Sequence, residues 1–162
     1  MFRDLRRKRQ QLSNELTEEI LLKGTTGILG VSGDDEYPYT VPVNYVYEDG
    51  KIYFHCAKSG HKLDSIRKND KVSFCVINKE QIVPEEFTSY FRSAIAFGRA
   101  SEVEDDQEKL RIMRLLNAKY SPGLDEAGEK EIQRDWKILC VIQIEVEHLT
   151  GKEAIELVKL RN

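Results

Sequence analysis

The chain has 162 residues, of which 40% are hydrophobic and 33% are charged, and its formal net charge is −3. This length and balance predict one domain, residues 1–162, with a packed core and argue against a disordered chain. The small net charge gives no basis for whole-protein attraction to nucleic acid or to a membrane, so neither partner is expected. Because no long apolar run marks a membrane span or a secretory signal, we expect a cytoplasmic protein.

The chain begins with a basic N-terminal arm, residues 1–12, which contains Arg3, Arg6, Arg7, Lys8 and Arg9. We interpret it as a solvated arm, with contact to nucleic acid as the less favoured alternative. Residues 17–24 follow with a capping Thr, acids in the first turn, a Lys in the last turn and a terminating Gly. This order predicts a short helix.

Two strands are predicted next, at residues 25–32 and 39–47, because both segments are rich in β-branched and aromatic residues. The Asp49-Gly50 pair then predicts a tight hairpin into a further strand that starts at residue 52. Pro42 lies inside the second strand and cannot donate to a ladder, so that strand is expected at an edge or at a bulge. Backbone groups left unpaired at residues 42–44 can face a ligand.

The second half of the chain alternates in the same way between helix and strand patterns. Helices are predicted at residues 60–68, 105–120 and 125–134, strands at residues 71–78, 89–103 and 138–146, and a polar excursion at residues 79–88. About six strands with helices at the flanks indicate the α+β class. A sheet of so few strands encloses a core best as a small antiparallel barrel, so we predict a six-stranded barrel with flanking helices.

Three cations surround Gly60 at the start of the first of these helices: Lys58, His61 and Lys62. A helix N-terminus offers unpaired N–H groups and partial positive charge, and Ser59 and Gly60 allow an anion to approach it closely. The segment is neither a Walker A loop nor a G-x-G-x-x-G turn, which disfavours an enzyme that hydrolyses nucleoside triphosphates. From these residues alone, a phosphate site and a solvated turn both remain open.

The cysteines and the nucleophiles give little support to other chemistry. Cys56, Cys75 and Cys140 are odd in number and widely separated, which favours reduced thiols over a disulfide framework. No paired C-x-x-C or H-x-x-x-H spacing is present, so no metal site is predicted. The chain also lacks a G-x-S-x-G elbow, which disfavours acyl transfer at Ser59.

Several segments together resemble a known family. Residues 37–44 read Tyr-Pro-Tyr-Thr-Val-Pro-Val-Asn, residues 52–55 read Ile-Tyr-Phe-His, and residues 60–63 read Gly-His-Lys-Leu. With the Arg-rich start, residues 90–100 and a late Trp136, their order resembles the flavin-binding split-barrel family related to pyridoxamine phosphate oxidase. Within that family, the pattern is most similar to the branch that includes nitroimidazole-resistance reductases.

The resemblance implies a six-stranded split β-barrel that forms a homodimer, with FMN in two symmetric sites at the subunit interface. It further implies a flavin-dependent oxidoreductase that takes electrons from a small-molecule donor, such as a reduced nicotinamide, and reduces a small organic acceptor. A nitroaromatic or a quinone-like compound would fit that description. A flavin performs hydride and electron transfer itself, so the absence of a nucleophile with its base is expected.

By the same likeness, twelve residues would bind the cofactor. The isoalloxazine would contact Val41, Pro42, Val43 and Asn44. The ribityl chain would contact His55, Cys56 and Ala57, and the phosphate would contact Ser59, His61 and Lys62. Ser93 and Trp136 match positions that approach the flavin in the family.

Some implied roles have alternatives. Oxidase members carry Arg-Lys where this chain has His61-Lys62, a departure that could weaken FMN or admit FAD. A His that matches His55 has been assigned a catalytic role in the nitroimidazole-resistance branch, but a strand-end His that is only hydrogen-bonded is the simpler interpretation. Trp136 could instead pack at the subunit contact. A flavin- or haem-binding carrier or sensor without turnover is the alternative to an enzyme.

Overall fold

The computed structural model describes residues 1–161 as seven strands and five α-helices, which confirms the predicted α+β class. The elements in chain order are α1 (Asn14–Lys23), β1 (Thr26–Ser32), β2 (Pro38–Asn44), β3 (Val46–Glu48), β4 (Lys51–Ala57), α2 (His61–Lys68), β5 (Lys71–Val83), β6 (Thr88–Glu102), α3 (Asp106–Tyr120), α4 (Asp125–Asp135), β7 (Leu139–Glu153) and α5 (Ile155–Arg161). Single 3₁₀ turns lie at Lys8–Gln10, Asp34–Glu36 and Pro84–Glu86.

All seven strands form one antiparallel sheet in the order β2-β1-β5-β6-β7-β4-β3. The two edge strands, β2 and β3, are consecutive in the chain and are separated only by Tyr45. The sheet is therefore closed by a covalent link where a barrel would have a hydrogen-bonded ladder. This arrangement is a split barrel, as the sequence predicted.

Tyr45 accounts for the seventh strand, because it interrupts what the sequence predicted as one strand at residues 39–47. Its N–H donates to the Tyr120 hydroxyl at 2.8 Å, and that hydroxyl lies 2.7 Å from the Tyr45 carbonyl oxygen. Lys119 Nζ donates to the same carbonyl at 3.0 Å. The backbone of Tyr45 is thus satisfied by side chains at the end of α3, and the strand pairing changes partner there.

The hydrophobic residues form two cores. The larger core fills the barrel and includes Leu29, Phe54 and Phe74, all fully buried. The smaller core lies on the outer side of β3, β4 and β7, where α3 and α4 cover Tyr53 and Val141. The helices of the second half of the chain therefore cover one part of the sheet's outer surface and leave the rest of that surface open.

The part that the helices leave open is the outer face of β1, β2, β5 and β6, on which Phe2 of the N-terminal arm stacks against Phe97 with 5.5 Å between ring centroids. Ile28 on β1 pairs with Pro42 on one side and with Cys75 on the other, and Cys75 pairs with Ile95. Large apolar side chains are exposed on this face: Ile28 by 37%, Ile77 by 61%, Ile95 by 39% and Phe97 by 39%. We call this surface the outer sheet face. An apolar surface of this kind usually marks an interaction site.

Several elements that were predicted from short stretches of neighbouring residues are confirmed. The Asp49-Gly50 hairpin joins β3 to β4, and α2 and α4 lie within one residue of their predicted bounds. The predicted start of the first helix at Thr17 is wrong. The helix begins at Asn14, and Ser13 caps it by accepting the Leu16 N–H.

The largest errors concern strand length and one helix. The polar excursion predicted at residues 79–88 is wrong, because β5 continues to Val83, a 3₁₀ turn follows at Pro84–Glu86, and β6 begins at Thr88. Both faces of this hairpin end are polar or exposed, so no alternation revealed it. The closing strand, predicted to end at residue 146, continues to Glu153, and α5 was not predicted. Among residues 1–161, no helix is both long and apolar enough to cross a bilayer.

Candidate functional site

The split in the barrel leaves one edge of β2 free. Gly33 N–H donates to the Tyr37 carbonyl, and this pair has the register of the β1–β2 ladder. In an antiparallel ladder, hydrogen-bonded and non-hydrogen-bonded residue pairs alternate. The backbone N–H and C=O groups of the odd-numbered residues of β2 therefore bond to β1, and those of the even-numbered residues point away from β1. Thr40, Pro42 and Asn44 therefore turn their backbone groups to the split. Pro42 breaks no ladder bond there, which confirms its predicted edge position.

The second half of β4 borders the same split. Lys58 N–H donates to the Ile138 carbonyl in the register of the β4–β7 ladder, so even-numbered residues of β4 bond to β7. Strand β3 covers β4 only as far as Tyr53. His55 and Ala57 consequently have no strand partner for their outward backbone groups within residues 1–161. The main chains of β2 and β4 thus offer donors and acceptors from two sides.

Helix α2 begins where β4 ends. Gly60 precedes it with φ 133°, a conformation that favours glycine, and a Cβ at this position would meet open space. No side chain caps the helix, and its first intrahelical bond runs from Asp64 N–H to the Gly60 carbonyl. The N–H groups of the first helical residues are therefore unpaired and accessible. Unpaired N–H groups of this kind are the groups with which helix N-termini bind anions.

The cations at this corner differ in their surroundings. Within residues 1–161, neither Lys58 nor Lys62 forms an ion pair, so both ammonium groups are available to a ligand. The His61 ring instead stacks on Tyr39, with 4.0 Å between centroids, and its Nε2 lies 3.7 Å from Asp34 Oδ2. His61 is thus held against β2, and Ser59 is exposed beside it.

His55 lies on the outer side of β4, beside the smaller core and the end of α4. Its ring reaches solvent, but the protein atoms around it lower its pKa by desolvation, against a smaller opposing effect of Asp135. This lowering of the pKa favours the neutral imidazole. Asp135 itself has a lowered pKa, chiefly because Arg134 bonds to it.

Trp136 follows Asp135 at the end of α4 and is held by a lysine. Lys109, only 7% exposed, donates from Nζ to the carbonyl oxygens of Trp136 at 3.0 Å and Leu139 at 2.9 Å. The same ammonium lies 4.2 Å from the centroid of the Trp136 ring. Lys109 therefore determines the position of the turn that brings Trp136 to the side of the sheet where His55 lies. The sequence pattern gave no sign of this role, because Lys109 lies among other charged residues of α3.

Three of the predicted residues point into the barrel instead of into the split. Val41 and Val43 pack against the larger core, as does Cys56. Burial raises the pKa of the Cys56 thiol, and it raises that of Cys140, its partner across the strands, to about 12. Cys75 lies on the outer sheet face and also has a raised pKa from burial. These thiols are thus poor nucleophiles, and Val41, Val43 and Cys56 can meet a ligand in the split only through their backbone or surface atoms.

Ser93 is separate from the rest. It lies on β6, opposite Ile77 on β5 and Lys152 on β7, on the open side of the sheet. Two strands separate it from β2, and one separates it from β4. A single copy of the chain therefore does not bring Ser93 to the split.

Two large cavities lie on the surface of the sheet and its helices. One, of about 650 Å³, lies on the outer sheet face and is bordered by Thr40, Ser73 and Phe97. Another, of about 760 Å³, lies between α3 and α4 and is bordered by Leu110, Ile132 and Trp136. Among residues 1–161, no group of three or more His, Cys, Asp or Glu is placed to hold a metal ion.

The comparisons with known proteins agree with this geometry. Residues 13–153 match the family model described as pyridoxamine 5'-phosphate oxidase. The chain therefore belongs to this flavin-binding family, which confirms the predicted resemblance. No curated protein matches the sequence.

Solved structures share the fold at low identity. A candidate 5-nitroimidazole antibiotic resistance protein from Bacteroides thetaiotaomicron has a TM-score of 0.72 at 23% identity, over 88% of this chain and 86% of that one. An FAD-binding protein from Mesorhizobium loti has a TM-score of 0.66 at 24% identity, over 90% and 97%. An FAD- and haem-binding protein from Mycobacterium smegmatis has a TM-score of 0.73 at 15% identity, over 90% and 73%.

The residues present fit a flavin nucleotide. A phosphate requires several donors and positive charge, and the uncapped amides of α2 with Lys58 and Lys62 offer both. An isoalloxazine ring carries donors and acceptors along its edge, and the free backbone groups of β2 are of the matching kind.

Proposed function

We propose that the protein is a flavin-dependent oxidoreductase that acts as a homodimer and reduces a small organic acceptor through bound FMN. The observation that carries the proposal is the coincidence of two free strand edges with an uncapped, cationic helix N-terminus at one split in the barrel. When bound, the flavin supplies hydride and electron transfer. The protein has to supply the position, the local charge and the exclusion of water.

The cofactor residues divide by element. The start of α2 with Ser59, His61 and Lys62 holds the phosphate, and the free edge of β2 from Val41 to Asn44 holds the ring. His55, Cys56 and Ala57 lie between them along β4. The His61-Lys62 pair has one fixed positive charge fewer than an Arg-Lys pair. The start of α2 therefore also accommodates FAD, whose pyrophosphate distributes its negative charge.

The homodimer is supported by the outer sheet face. Ile28, Ile77 and Ile95 expose apolar surface there, and Ser93 lies on the same side of the sheet. A second copy packed on this face would remove the apolar surface from water and bring its Ser93 towards the first copy's split. The flavin would then lie between the two chains.

The dimer is tested by substitution on this face. Ile95→Lys should give a monomer by light scattering and should lower flavin content. Leu124→Lys is the matched control, because Leu124 is 59% exposed in the loop between α3 and α4, away from that face. A dimeric Ile95→Lys protein that keeps its flavin would contradict this interface.

We assign His55 to the reaction as a neutral imidazole beside the flavin that can hold or pass a proton. Its lowered pKa and its place at the free edge of β4 support this role. His55→Ala should keep its flavin and lose most of its turnover. Equal turnover in the two proteins would remove His55 from the mechanism.

The proposal as a whole is tested with the purified protein. We expect a yellow chromophore, FMN or FAD in the mass spectrum of the material released on denaturation, and oxidation of NADH or NADPH with a nitroaromatic or quinone acceptor. A colourless protein that does not quench the fluorescence of added FMN or FAD would refute it.

A second candidate is a flavin- or haem-binding carrier or sensor without turnover. The observation that favours it is the position of His55 on β4 beyond the end of the β3 pairing, where its ring reaches solvent, since an accessible imidazole is an iron ligand. A Soret band after reconstitution with haem, lost in His55→Ala, would identify the haem form. Stable flavin without acceptor reduction would identify the flavin carrier.

A further inference from the structure

The basic N-terminal arm is held on the protein surface and does not extend into solvent. Its 3₁₀ turn contains bonds from Gln10 N–H to the Arg7 carbonyl and from Gln11 N–H to the Lys8 carbonyl. Leu12 N–H donates to the Gly151 carbonyl, and Gln11 forms a bridge with Lys152 on β7. The arm is thus attached to the second half of β7. It precedes the residues matched by the family model, which start at residue 13.

Two adjoining cavities lie along this arm. One, of about 390 Å³, is lined by Arg6, Arg7, Lys8, Arg9, Gln10 and Ile155. The other, of about 190 Å³, is lined by Leu5, Arg6, Arg7 and Lys152. Because Arg6 and Arg7 border both, the two cavities are neighbours, and we call them together the arm pocket.

The charges of the arm pocket are uncompensated. Within residues 1–161, the only ion pair made by its cations joins Lys8 Nζ to Asp4 Oδ2 at 3.0 Å. The nearest acid on β7, Glu153, is fully buried and already contacts Arg92 at 3.0 Å and Arg161 at 2.8 Å. Arg6, Arg7 and Arg9 therefore border the pocket without an acid paired to them within residues 1–161, in a protein whose net charge is −3.

Gln10 supplies a second, independent observation. Its side chain lines the pocket, the residue is 4% exposed, and its Oε1 is buried without a hydrogen-bond partner. A buried acceptor without a partner is costly, and an ionised phosphate, which has no donor, would be favoured beside the amide nitrogen and not beside this oxygen. Because the two ends of an amide exchange by a half-turn, Gln10 can also present its amino group to an anion.

We propose that the arm pocket binds a small polyphosphate, such as the diphosphate or triphosphate of a nucleotide. Guanidinium groups bind phosphate oxygens in pairs, and five cations around one pocket match the several charges of a phosphate chain better than those of a single phosphate. The site is distinct from the split, and the proposal does not depend on the flavin.

The test is calorimetric titration of the full chain with inorganic tripolyphosphate at about 150 mM salt, where weak surface attraction is screened. We expect one equivalent to bind, with or without saturating FMN. Arg6→Gln combined with Arg7→Gln should weaken binding by about tenfold or more. The matched control is Lys23→Gln combined with Lys130→Gln, which removes the same charge from two exposed lysines that pair within their own helices. It should change binding less than twofold.

Four results would overturn the proposal. The first is no binding at this salt concentration, and the second is equal weakening by the two double variants. The third is loss of tripolyphosphate binding on addition of FMN or in Lys62→Ala, which would assign the anion to α2. The fourth is a single-stranded oligonucleotide that displaces tripolyphosphate with an affinity that rises with its length, which would make the arm a nucleic-acid surface. Titration with ATP separates the nucleotide from inorganic polyphosphate, because a nucleotide site binds ATP more tightly.

Discussion

The Tyr120 hydroxyl joins the end of α3 to the break between β2 and β3, and its removal should destabilise the protein. The hydroxyl accepts the Tyr45 N–H at 2.8 Å and lies 2.6 Å from the Thr25 carbonyl oxygen. Tyr45 is fully buried, so in Tyr120→Phe its N–H would have neither a protein partner nor water. An orphaned buried donor costs about 1–3 kcal/mol, and the lost donated bond adds about 1 kcal/mol. We therefore expect the free energy of unfolding to fall by about 2–4 kcal/mol.

Urea unfolding followed by circular dichroism measures this change, with the midpoint and the slope fitted separately. Tyr90→Phe is the matched control, because the Tyr90 hydroxyl contacts the exposed carboxylate of Glu86 at 2.8 Å and water can replace that bond. The control should unfold at nearly the same urea concentration as the unaltered protein. If Tyr120→Phe and Tyr90→Phe shift the urea midpoint equally, the hydrogen bonds between Tyr120 and Tyr45 do not stabilise the protein.

Three further predictions concern the site. Lys62→Ala should weaken flavin binding by about 1.5–3 kcal/mol in a fluorescence titration, whereas the exposed Lys130→Ala should leave it unchanged; equal affinities would place the Lys62 ammonium in solvent. By NMR, the His55 ring should titrate below its ordinary pKa of 6.5. Because folding disfavours its protonated form, the free energy of unfolding should fall more steeply below about pH 6.5 in the unaltered protein than in His55→Gln. Parallel plots of that free energy against pH for the two proteins would contradict this. Gly60→Ala should destabilise the start of α2 because φ is 133°, and unchanged hydrogen exchange in α2 would refute that reasoning.

The sequence predicted those parts of the fold that depend on neighbouring residues. The Asp49-Gly50 pair specifies a hairpin by its own backbone preference, and Gly60 with the cations around it marked the start of α2. Pro42 could be placed at an edge because proline lacks an N–H, and this property is known from the residue itself. These positions account for most of the candidate site, which lies on β2, the hairpin partner β4 and α2.

The rest depends on residues far apart in the chain. The break at Tyr45 requires Tyr120 and Lys119, which no pattern near Tyr45 could reveal. The end of β5 pairs Glu80 with Phe91 on a two-sided exposed ribbon, so it lacks the alternation that a half-buried strand shows. The support of Trp136 by Lys109 likewise joins separate helices.

The pairing of β4 with β7 has a consequence for biosynthesis. Lys51 lies opposite Glu145, and Ala57 lies opposite Leu139, so β4 gains its second neighbour only after α2, β5, β6, α3 and α4 have been synthesised. Until then, the unpaired backbone edge of β4 is exposed to other chains and to chaperones. Premature termination before residue 139 would leave the backbone edge of β4 permanently unpaired, and such fragments should aggregate or be degraded.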